Sequence, residues 1–294
     1  MATTEYQTLS LTSAGGIARV VLDNGEINLL DAQMFSELAA VVDRLATDPD
    51  VRVVVMSSAN PDFFIAHFDV TLIQRSPGMR QDPQHAAKLA AELSRGTSAP
   101  TPPNPFHTMC EQLRTMPKAT IAVIEGRAGG GGSEVALSCD MRFAARDRAV
   151  FNQPEVALGI VPGGSGTVRL PRLIGRSRAL EVILGCDDVD ADLAEQWGWV
   201  NRTFDDGRLW PHVNALATRI ASFPGHAIAA AKLTVLRAEA GVDDHLRLEG
   251  AAYQSTLGNL ATRDAMEAFM SYGGQTREGE MRLGALAAEI GVVH

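Results

Sequence analysis

Two glutamates, Glu134 and Glu155, carry side chains that can donate or accept a proton, and each stands in a distinctive stretch of sequence. Glu134 follows a run of four glycines, Gly129–Gly132, and Glu155 lies between Pro154 and an apolar stretch. Carboxyl groups that meet in a buried site can act as general acid and general base, because burial and mutual repulsion separate their pKa values. Since the two are far apart in sequence, only the fold could bring them together. The alternative is that they are unrelated surface acids.

The glycine run joins an apolar strand pattern, Thr120–Ile124, to a short apolar helix pattern that reaches Cys139. Glycine lets a ligand approach the backbone closely, and a helix start offers unpaired N–H groups with partial positive charge. The segment therefore predicts a site for a negatively charged group. A nucleotide-phosphate loop fits less well, because neither GxxxxGK[ST] nor GxGxxG with a ribose-binding acid is present. A tight turn used only for packing is the third interpretation.

Three segments, taken in order, resemble a known family. They are PDFFIAHFDV at Pro61–Val70, IEGRAGGGGSEVALSCD at Ile124–Asp140 and FNQPEVALGIVPGGSGT at Phe151–Thr167. They are similar to the crotonase (enoyl-CoA hydratase/isomerase) family, whose pattern is roughly F-x-A-G-x-D-[LI], then G-x-A-x-G-G-G-x-E with a trailing C-D, then P-E-x-x-x-G-x-x-P-G-x-G-[GS]. Asn28-Leu29-Leu30 also resembles the family's early N-A-L segment, and the likeness extends from about Ile17 to Val200.

The resemblance implies an α/β fold, with a spiral core of ββα units and a C-terminal helical region used for trimerisation. We place the core at residues 1–205 and the helical region at residues 206–294. The resemblance also implies an enzyme that acts on an acyl-CoA thioester and stabilises its enolate. Coenzyme A would be part of the substrate, with no separate cofactor and no metal. The expected assembly is a homotrimer or a hexamer built from two trimers.

Carried over position by position, the resemblance makes the backbone N–H groups of Phe68 and Gly131 an oxyanion hole and makes Glu134 and Glu155 the two acid/base carboxylates. Further candidate substrate contacts in the same motifs are Ala66, His67, Gly130, Pro154 and Gly163. The implied reaction is addition of water to a 2-enoyl-CoA. Alternatives within the fold are double-bond isomerisation, acyl-CoA hydrolysis, carbon–carbon bond chemistry and acyl-CoA binding without turnover. A nucleotide-phosphate protein is the alternative outside the fold.

The first motif departs from the family at His67, which stands where the family has glycine, and at Phe68, which replaces the usual alanine. Glycine there could supply backbone angles that histidine adopts only at a cost. The His67 ring either turns aside or pairs with Asp69, or it enters the pocket as an acid/base or CoA contact. Asp69 itself is predicted to cap the next helix.

The early segment also lacks a basic residue. Asp23-Asn24-Gly25-Glu26 precedes Asn28, where many family members carry Lys or Arg for the CoA phosphates. Arg75, Arg80 or a residue of the helical C-terminal region could take that role.

Composition narrows the class of protein. The 294 residues are 46% hydrophobic, which is enough for a sizeable core, and the net charge of -9 with a pI near 5.3 argues against a nucleic-acid partner. Cys110, Cys139 and Cys186 are widely spaced, so they indicate free thiols in a reducing cytoplasm rather than disulfides or a zinc site. Neither a signal peptide nor a membrane-spanning segment is predicted.

The elements that must position the motifs alternate between strand and helix in the first half of the chain, which favours crossover connections and an α/β core. Strands are predicted at Tyr6–Leu11, Ile17–Leu22, Val51–Met56, Thr120–Ile124 and Met141–Ala144. Helices are predicted after an N-cap at Asp31 and at Gln84–Leu93, and a proline-rich loop at 98–105 is either part of a lid or a passive insertion. Nearly everything after Arg176 is predicted helical, in the segments Leu209–Ser222, His226–Ala240, Asp243–Leu257 and Thr262–Ser271.

Overall fold

The computed structural model describes residues 6–80, 82–95, 104–239 and 241–291. The strands in these ranges are β1 Leu9–Ala14, β2 Ile17–Leu22, β3 Val53–Ser58, β4 Phe63–Ile65, β5 Ala119–Ile124, β6 Arg127–Gly129, β7 Met141–Ala145, β8 Val150–Asn152, β9 Val189–Asp190 and β10 Arg202–Phe204. The helices are α1 Ala32–Thr47, α2 Val70–Arg75, α3 Pro83–Ser94, α4 Pro105–Thr115, α5 Gly131–Ser138, α6 Gly166–Ile174, α7 Arg176–Gly185, α8 Ala191–Trp197, α9 Leu209–Ala221, α10 Gly225–Arg237, α11 Val242–Leu257, α12 Leu260–Ser271, α13 Arg277–Glu280 and α14 Leu283–Gly291. Short 3₁₀ helices lie at Pro77–Arg80 and Glu155–Leu158.

In the described part of the chain, the larger sheet has six strands in the order β1-β2-β3-β5-β7-β10. The pair β1–β2 is antiparallel and every other neighbouring pair is parallel. The β1–β2 hairpin turns at Gly15 and Gly16, whose φ angles of 60° and 81° suit a two-residue turn that other residues rarely adopt. The parallel order requires helical crossovers, so the predicted α/β class is confirmed.

Four short strands among the described residues form a second sheet in the order β4-β6-β8-β9. The chain passes from β5 of the larger sheet to β6 of this sheet through Gly126, where an added Cβ would lie 2.2 Å from the backbone carbon of Asp62. The next residue, Arg127, donates its N–H to the Asp62 carbonyl at 2.7 Å. Strands of two or three residues are too short to show a periodic pattern, and the sequence did not predict this sheet.

The first helix matches its prediction closely. Asp31 caps α1 by accepting the Met34 N–H at 2.8 Å, and the predicted apolar face at Met34, Leu38, Val41, Val42 and Leu45 is buried. Because this periodicity follows from the helix repeat alone, it could be recognised without knowledge of the fold.

The helices after β10 pack against the rest of the chain. The predicted division at residue 205 falls between β10 and α9, and α9 covers one face of the larger sheet. Helix α11 contacts α3 and α6, while α12 and α14 contact the 3₁₀ helix that begins at Glu155. The prediction that nearly everything after Arg176 is helical was too broad, because β9 and β10 lie in that region.

The proline-rich loop predicted at 98–105 lies largely outside the described residues, which resume at Asn104. Pro105 is not part of a loop, since it is the first residue of α4, and the Asn104 side chain caps that helix by accepting the His107 N–H at 2.8 Å. Cys110, Cys139 and Cys186 are buried free thiols. Among the residues that the structure describes, every helix is too short or too polar to span a lipid bilayer.

Candidate active site

The glycine run forms the sharp connection between β6 and α5. Gly130 has φ 44° and ψ -119°, a backbone conformation that residues with a Cβ rarely adopt. A Cβ at this position would also lie 2.9 Å from Glu155 Oε1 and 3.4 Å from the His67 Cβ. The turn at Gly130 therefore allows α5 to begin directly beside Glu155, with its unpaired N–H groups facing the site.

Two backbone N–H groups, those of Phe68 and Gly131, lie side by side. A Cβ built on Gly131 would be 3.3 Å from the Phe68 nitrogen. The chain around Phe68 is fixed by Leu30, which donates its N–H to the His67 carbonyl at 3.0 Å and accepts the Asp69 N–H at 3.1 Å. Within the described residues neither Phe68 nor Gly131 donates its N–H to another group, so both donors are free for a ligand.

Glu134 projects from the first turn of α5 and is 2% exposed. Its Oε1 accepts the N–H of Gly164 at 2.8 Å and that of Gly166 at 2.7 Å. Each of these glycines is followed by a residue whose N–H donates to a second carboxylate. Ser165 and Thr167 donate to Glu249 at 2.6 and 2.8 Å. Four consecutive N–H groups thus alternate between the two carboxylates and fix the position of Glu134.

Glu249, on α11, is itself buried and bonds to His107 Nε2 at 2.7 Å. His107 lies on α4, so this pair joins the C-terminal helices to the wall of the site. Neither residue could be recognised from the sequence as part of the site, because buried charged side chains cannot be told from exposed ones on a helix by type alone.

Glu155 lies at the start of the 3₁₀ helix and is 7% exposed. The Gln153 side-chain amide, oriented with its nitrogen toward Glu155, donates to the two carboxylate oxygens at 3.1 and 3.0 Å and accepts the Ser133 hydroxyl at 3.3 Å. Burial raises the pKa of Glu155 to about 8, with a further raising effect of Glu249, while the nearby His67 opposes the shift. Glu155 can therefore carry a proton at neutral pH.

The pKa of Glu134 is also raised, first by burial and then by the negative charges of Glu155 and Glu249. The Gly164 and Gly166 N–H groups act in the opposite direction, because they stabilise the ionised form. Two carboxyl groups in this environment favour a state in which one proton is shared between them.

These groups surround a cavity of about 280 Å³. Of the nine candidate site residues, five line it, namely Phe68, Gly131, Glu134, Glu155 and Gly163. Its wall is otherwise mainly apolar and aromatic, and it includes Phe35, Leu72, Ile73, Phe106, Ile160 and Tyr253. Phe35, Phe68 and Phe106 contact one another with ring centroids 5.6 to 6.3 Å apart. The cavity therefore suits an apolar group held next to two N–H donors and two carboxyl groups.

The other four candidates, Ala66, His67, Gly130 and Pro154, do not line the cavity and lie behind it. A Cβ on Gly130 would be 3.5 Å from the Pro154 Cδ, and one on Gly129 would be 2.4 Å from the Ala66 carbonyl oxygen. They pack beside the backbone that carries the two N–H donors.

The structure separates the expectations for His67: the ring is turned aside from the cavity, and neither a strained backbone nor entry into the pocket is found. Its φ is not positive, so the backbone needs no glycine at this position. Its ring does not pair with Asp69, because Nε2 lies 3.0 Å from Glu280 Oε1 and Nδ1 lies 2.8 Å from the Phe68 carbonyl oxygen. Asp69 instead accepts the Thr71 N–H at 2.8 Å as the N-cap of α2, as expected.

The cavity wall includes residues that sequence reasoning missed. Tyr253 comes from α11 and contacts Gly163, where an added Cβ would lie 3.0 Å from its ring. Phe106 comes from α4, which follows the proline-rich segment. Neither belongs to a motif, and no local signal marks them. Arg75 and Arg80 do not line the cavity, and Arg80 borders a separate recess with Arg263 and Glu267.

Comparison with known proteins agrees with this geometry. The chain matches the family model for enoyl-CoA hydratase/isomerase over residues 12–273. It is 28% identical to the short-chain-enoyl-CoA hydratase of Clostridium acetobutylicum, covering 90% of this chain and 95% of that protein. It is 33% identical to the carnitinyl-CoA dehydratase of Proteus mirabilis, covering 77% and 79% of the two chains.

Solved structures show the same fold. A Streptomyces avermitilis protein described as a candidate enoyl-CoA hydratase superposes with a TM-score of 0.85 at 36% identity and covers 98% of this chain and 100% of that one. An enoyl-CoA hydratase of Bacillus anthracis superposes with a TM-score of 0.67 at 26% identity, covering 90% and 96%. With the family model matched over most of its length, the chain belongs to the enoyl-CoA hydratase/isomerase family, which is the crotonase family.

Proposed function

We propose that this protein is an enoyl-CoA hydratase that adds water across the double bond of a 2-enoyl-CoA. The observation that carries the proposal is the meeting of two free N–H groups, those of Phe68 and Gly131, with two buried carboxyl groups at one cavity. The N–H groups form an oxyanion hole for the thioester oxygen. The carboxyl groups supply the acid and base that hydration needs.

The reaction follows from where charge and protons must go. The thioester oxygen accepts the Phe68 and Gly131 N–H groups, which stabilise the negative charge that develops as water attacks the β-carbon. We assign Glu134 as the carboxylate that takes a proton from water, because two backbone N–H groups favour its ionised form. Glu155 then gives its proton to the α-carbon, and the new hydroxyl stays on the β-carbon. The pair returns to its starting state when the proton passes back from Glu134 to Glu155.

A direct assay tests the proposal. Purified protein mixed with crotonyl-CoA is expected to reduce the absorbance of the conjugated thioester, and mass spectrometry is expected to show a product heavier by one water. In H₂¹⁸O the label should appear on the hydroxyl and not on the carbonyl. Release of free coenzyme A would indicate hydrolysis instead, and calorimetric binding without turnover across a panel of 2-enoyl-CoA thioesters would indicate a binding protein.

The pH dependence of hydration is a further prediction. Glu155 must be protonated to act as the acid, so kcat/KM is expected to fall as pH rises through its pKa of about 8. Initial rates at subsaturating crotonyl-CoA, from neutral to moderately alkaline pH, measure this. A rate that stays constant throughout that range would contradict Glu155 as the acid.

The assembly and location proposed are a homotrimer or hexamer in the cytoplasm, with coenzyme A present only as part of the substrate. The exposed leucines of α7 support an intersubunit contact, since Leu180 and Leu184 are 48% and 62% exposed and lie one helical turn apart. The three buried free thiols are compatible with a reducing compartment. Light scattering of the purified protein measures the assembly state.

A further inference from the structure

The loop that carries the Phe68 N–H is held from two sides. On one side, the Leu30 backbone bonds to the His67 carbonyl and to the Asp69 N–H. On the other side, the segment that leads into α13 contacts the same loop. Gln275 accepts the Val70 N–H at 3.0 Å and donates to Asp69 Oδ1 at 3.0 Å. Phe68 is the residue between these anchors whose N–H stays free.

His67 and Glu280 complete this second set of contacts. Both are buried, with Glu280 fully inaccessible, and the Glu280 Oε1 that bonds to His67 also accepts the Gln275 N–H at 2.6 Å. The Phe269 ring packs edge-on against the imidazole at 5.6 Å. Both ring nitrogens of His67 face acceptor groups, a carbonyl oxygen and a carboxylate, and an imidazolium, with a proton on each nitrogen, can donate to both.

We propose that His67 and Glu280 are positioning residues that hold the Phe68 N–H in its place for the thioester oxygen. The proposal rests on the hydratase function above. It gives a role to the histidine that replaces the family's glycine: the imidazolium ties the oxyanion loop to the C-terminal segment, which lies more than two hundred residues further along the chain. His67 does not touch the cavity, and it acts through the backbone of its neighbour.

The charged groups around His67 and Glu280 also link this pair to the pKa of Glu155. His67 faces Glu280 on α13 and Glu155 on the 3₁₀ helix. Glu280 also faces Arg127 on β6, which is paired with Asp188 at 2.6 Å. Glu155 also faces two other carboxyl groups, those of Glu249 and Glu134. Burial alone would lower the pKa of His67, but Glu280, the Phe68 carbonyl and Glu155 together raise it. The imidazolium in turn lowers the pKa of Glu155 relative to its value without a nearby cation.

The test compares His67→Ala and Glu280→Ala with Glu195→Ala. Glu195 is a matched control, because it accepts the Thr203 N–H and hydroxyl outside the cavity wall. We expect kcat for crotonyl-CoA to fall about 10- to 100-fold in the first two variants with little change in KM, since a misplaced donor affects the transition state more than the bound substrate. In Glu195→Ala, kcat should be unchanged below the unfolding temperature.

The pH profile separates this role from a purely structural one. In His67→Ala the alkaline limb of kcat/KM is expected to move to higher pH, because the cation that faces Glu155 is gone. His67→Gln can replace one of the two hydrogen bonds but carries no charge. His67→Gln should therefore recover part of kcat, while its alkaline limb of kcat/KM stays at the higher pH seen in His67→Ala. Loss of stability alone would lower the amount of folded enzyme without moving the limb.

A measurement that needs no activity covers the case in which the hydratase function fails. Amide hydrogen exchange, followed by mass spectrometry of peptides spanning residues 66–72, should be faster in His67→Ala and Glu280→Ala than in wild type and Glu195→Ala. Absence of hydration by the wild type would overturn the proposed function, while faster exchange would still support the positioning role. Unchanged exchange in both variants would overturn that role.

Discussion

Replacing either of the two carboxylates proposed as acid and base should remove most of the hydratase activity. Glu134→Gln and Glu155→Gln are each expected to lower kcat about 10²- to 10⁴-fold, the usual contribution of one positioned proton transfer. The double variant should lose much less than the product of the two factors, because the two groups act as one unit on one water molecule. Initial rates of crotonyl-CoA hydration by the two single variants and the double variant measure these effects.

These variants should remain folded, which makes the result interpretable. A glutamine at position 134 keeps an oxygen that can accept the Gly164 and Gly166 N–H groups. Both Glu134→Gln and Glu155→Gln also replace a buried ionisable group with a neutral one of similar size. Glu125→Gln is the control, because Glu125 lies in the same glycine-rich segment but bonds to Trp210 Nε1 at 2.9 Å, away from the cavity. Full turnover in both Glu134→Gln and Glu155→Gln would reject the assigned roles.

Adding one methyl group at Gly131 should block the proposed oxyanion hole. The new Cβ would lie 3.3 Å from the Phe68 nitrogen and 3.5 Å from the Phe106 ring, in the space between the two N–H donors. We expect kcat/KM of Gly131→Ala to fall about 10²- to 10³-fold, equivalent to loss of one oxyanion donor at about 2.7–4 kcal/mol. Kinetics with crotonyl-CoA and thermal unfolding are measured on the same preparation.

Two other glycines separate this effect from loss of stability. Gly131 has an ordinary φ and its nearest contact is 3.1 Å, so Gly131→Ala should lower the unfolding temperature only slightly. Gly132→Ala should be clearly destabilised, because its Cβ would lie 2.4 Å from the Ile65 carbonyl oxygen. Gly185→Ala, with open space around it, should keep both activity and stability. Activity of Gly131→Ala equal to that of Gly185→Ala would contradict the oxyanion hole.

Local patterns were enough for a large part of the fold. The apolar repeat after Asp31 predicted α1 and its cap, and the pattern at Ile17–Leu22 predicted β2 with its bounds. The motif around Glu134 and the proline before Glu155 identified the two carboxylates that the structure brings to one cavity. These signals are local because helix and strand periods and capping involve residues that are neighbours in sequence.

Other elements gave no such signal. The second sheet is built from strands too short for a period, and Pro105 looked like part of a loop although proline is well suited to the first turn of a helix. The glycine position occupied by His67 suggested a strained backbone, whereas the structure shows an ordinary φ and a buried partner, Glu280.

What the sequence determined by itself was the α/β class, the main helices and strands, and the identity of the two carboxylates. Tertiary structure alone decided their surroundings: Glu249 alternating with Glu134 along one backbone segment, Tyr253 in the cavity wall, and Glu280 beneath His67. All three come from the C-terminal helices. A charged residue on a helix is by default assigned to solvent, and only the packing of distant elements shows which charges are buried and what they face.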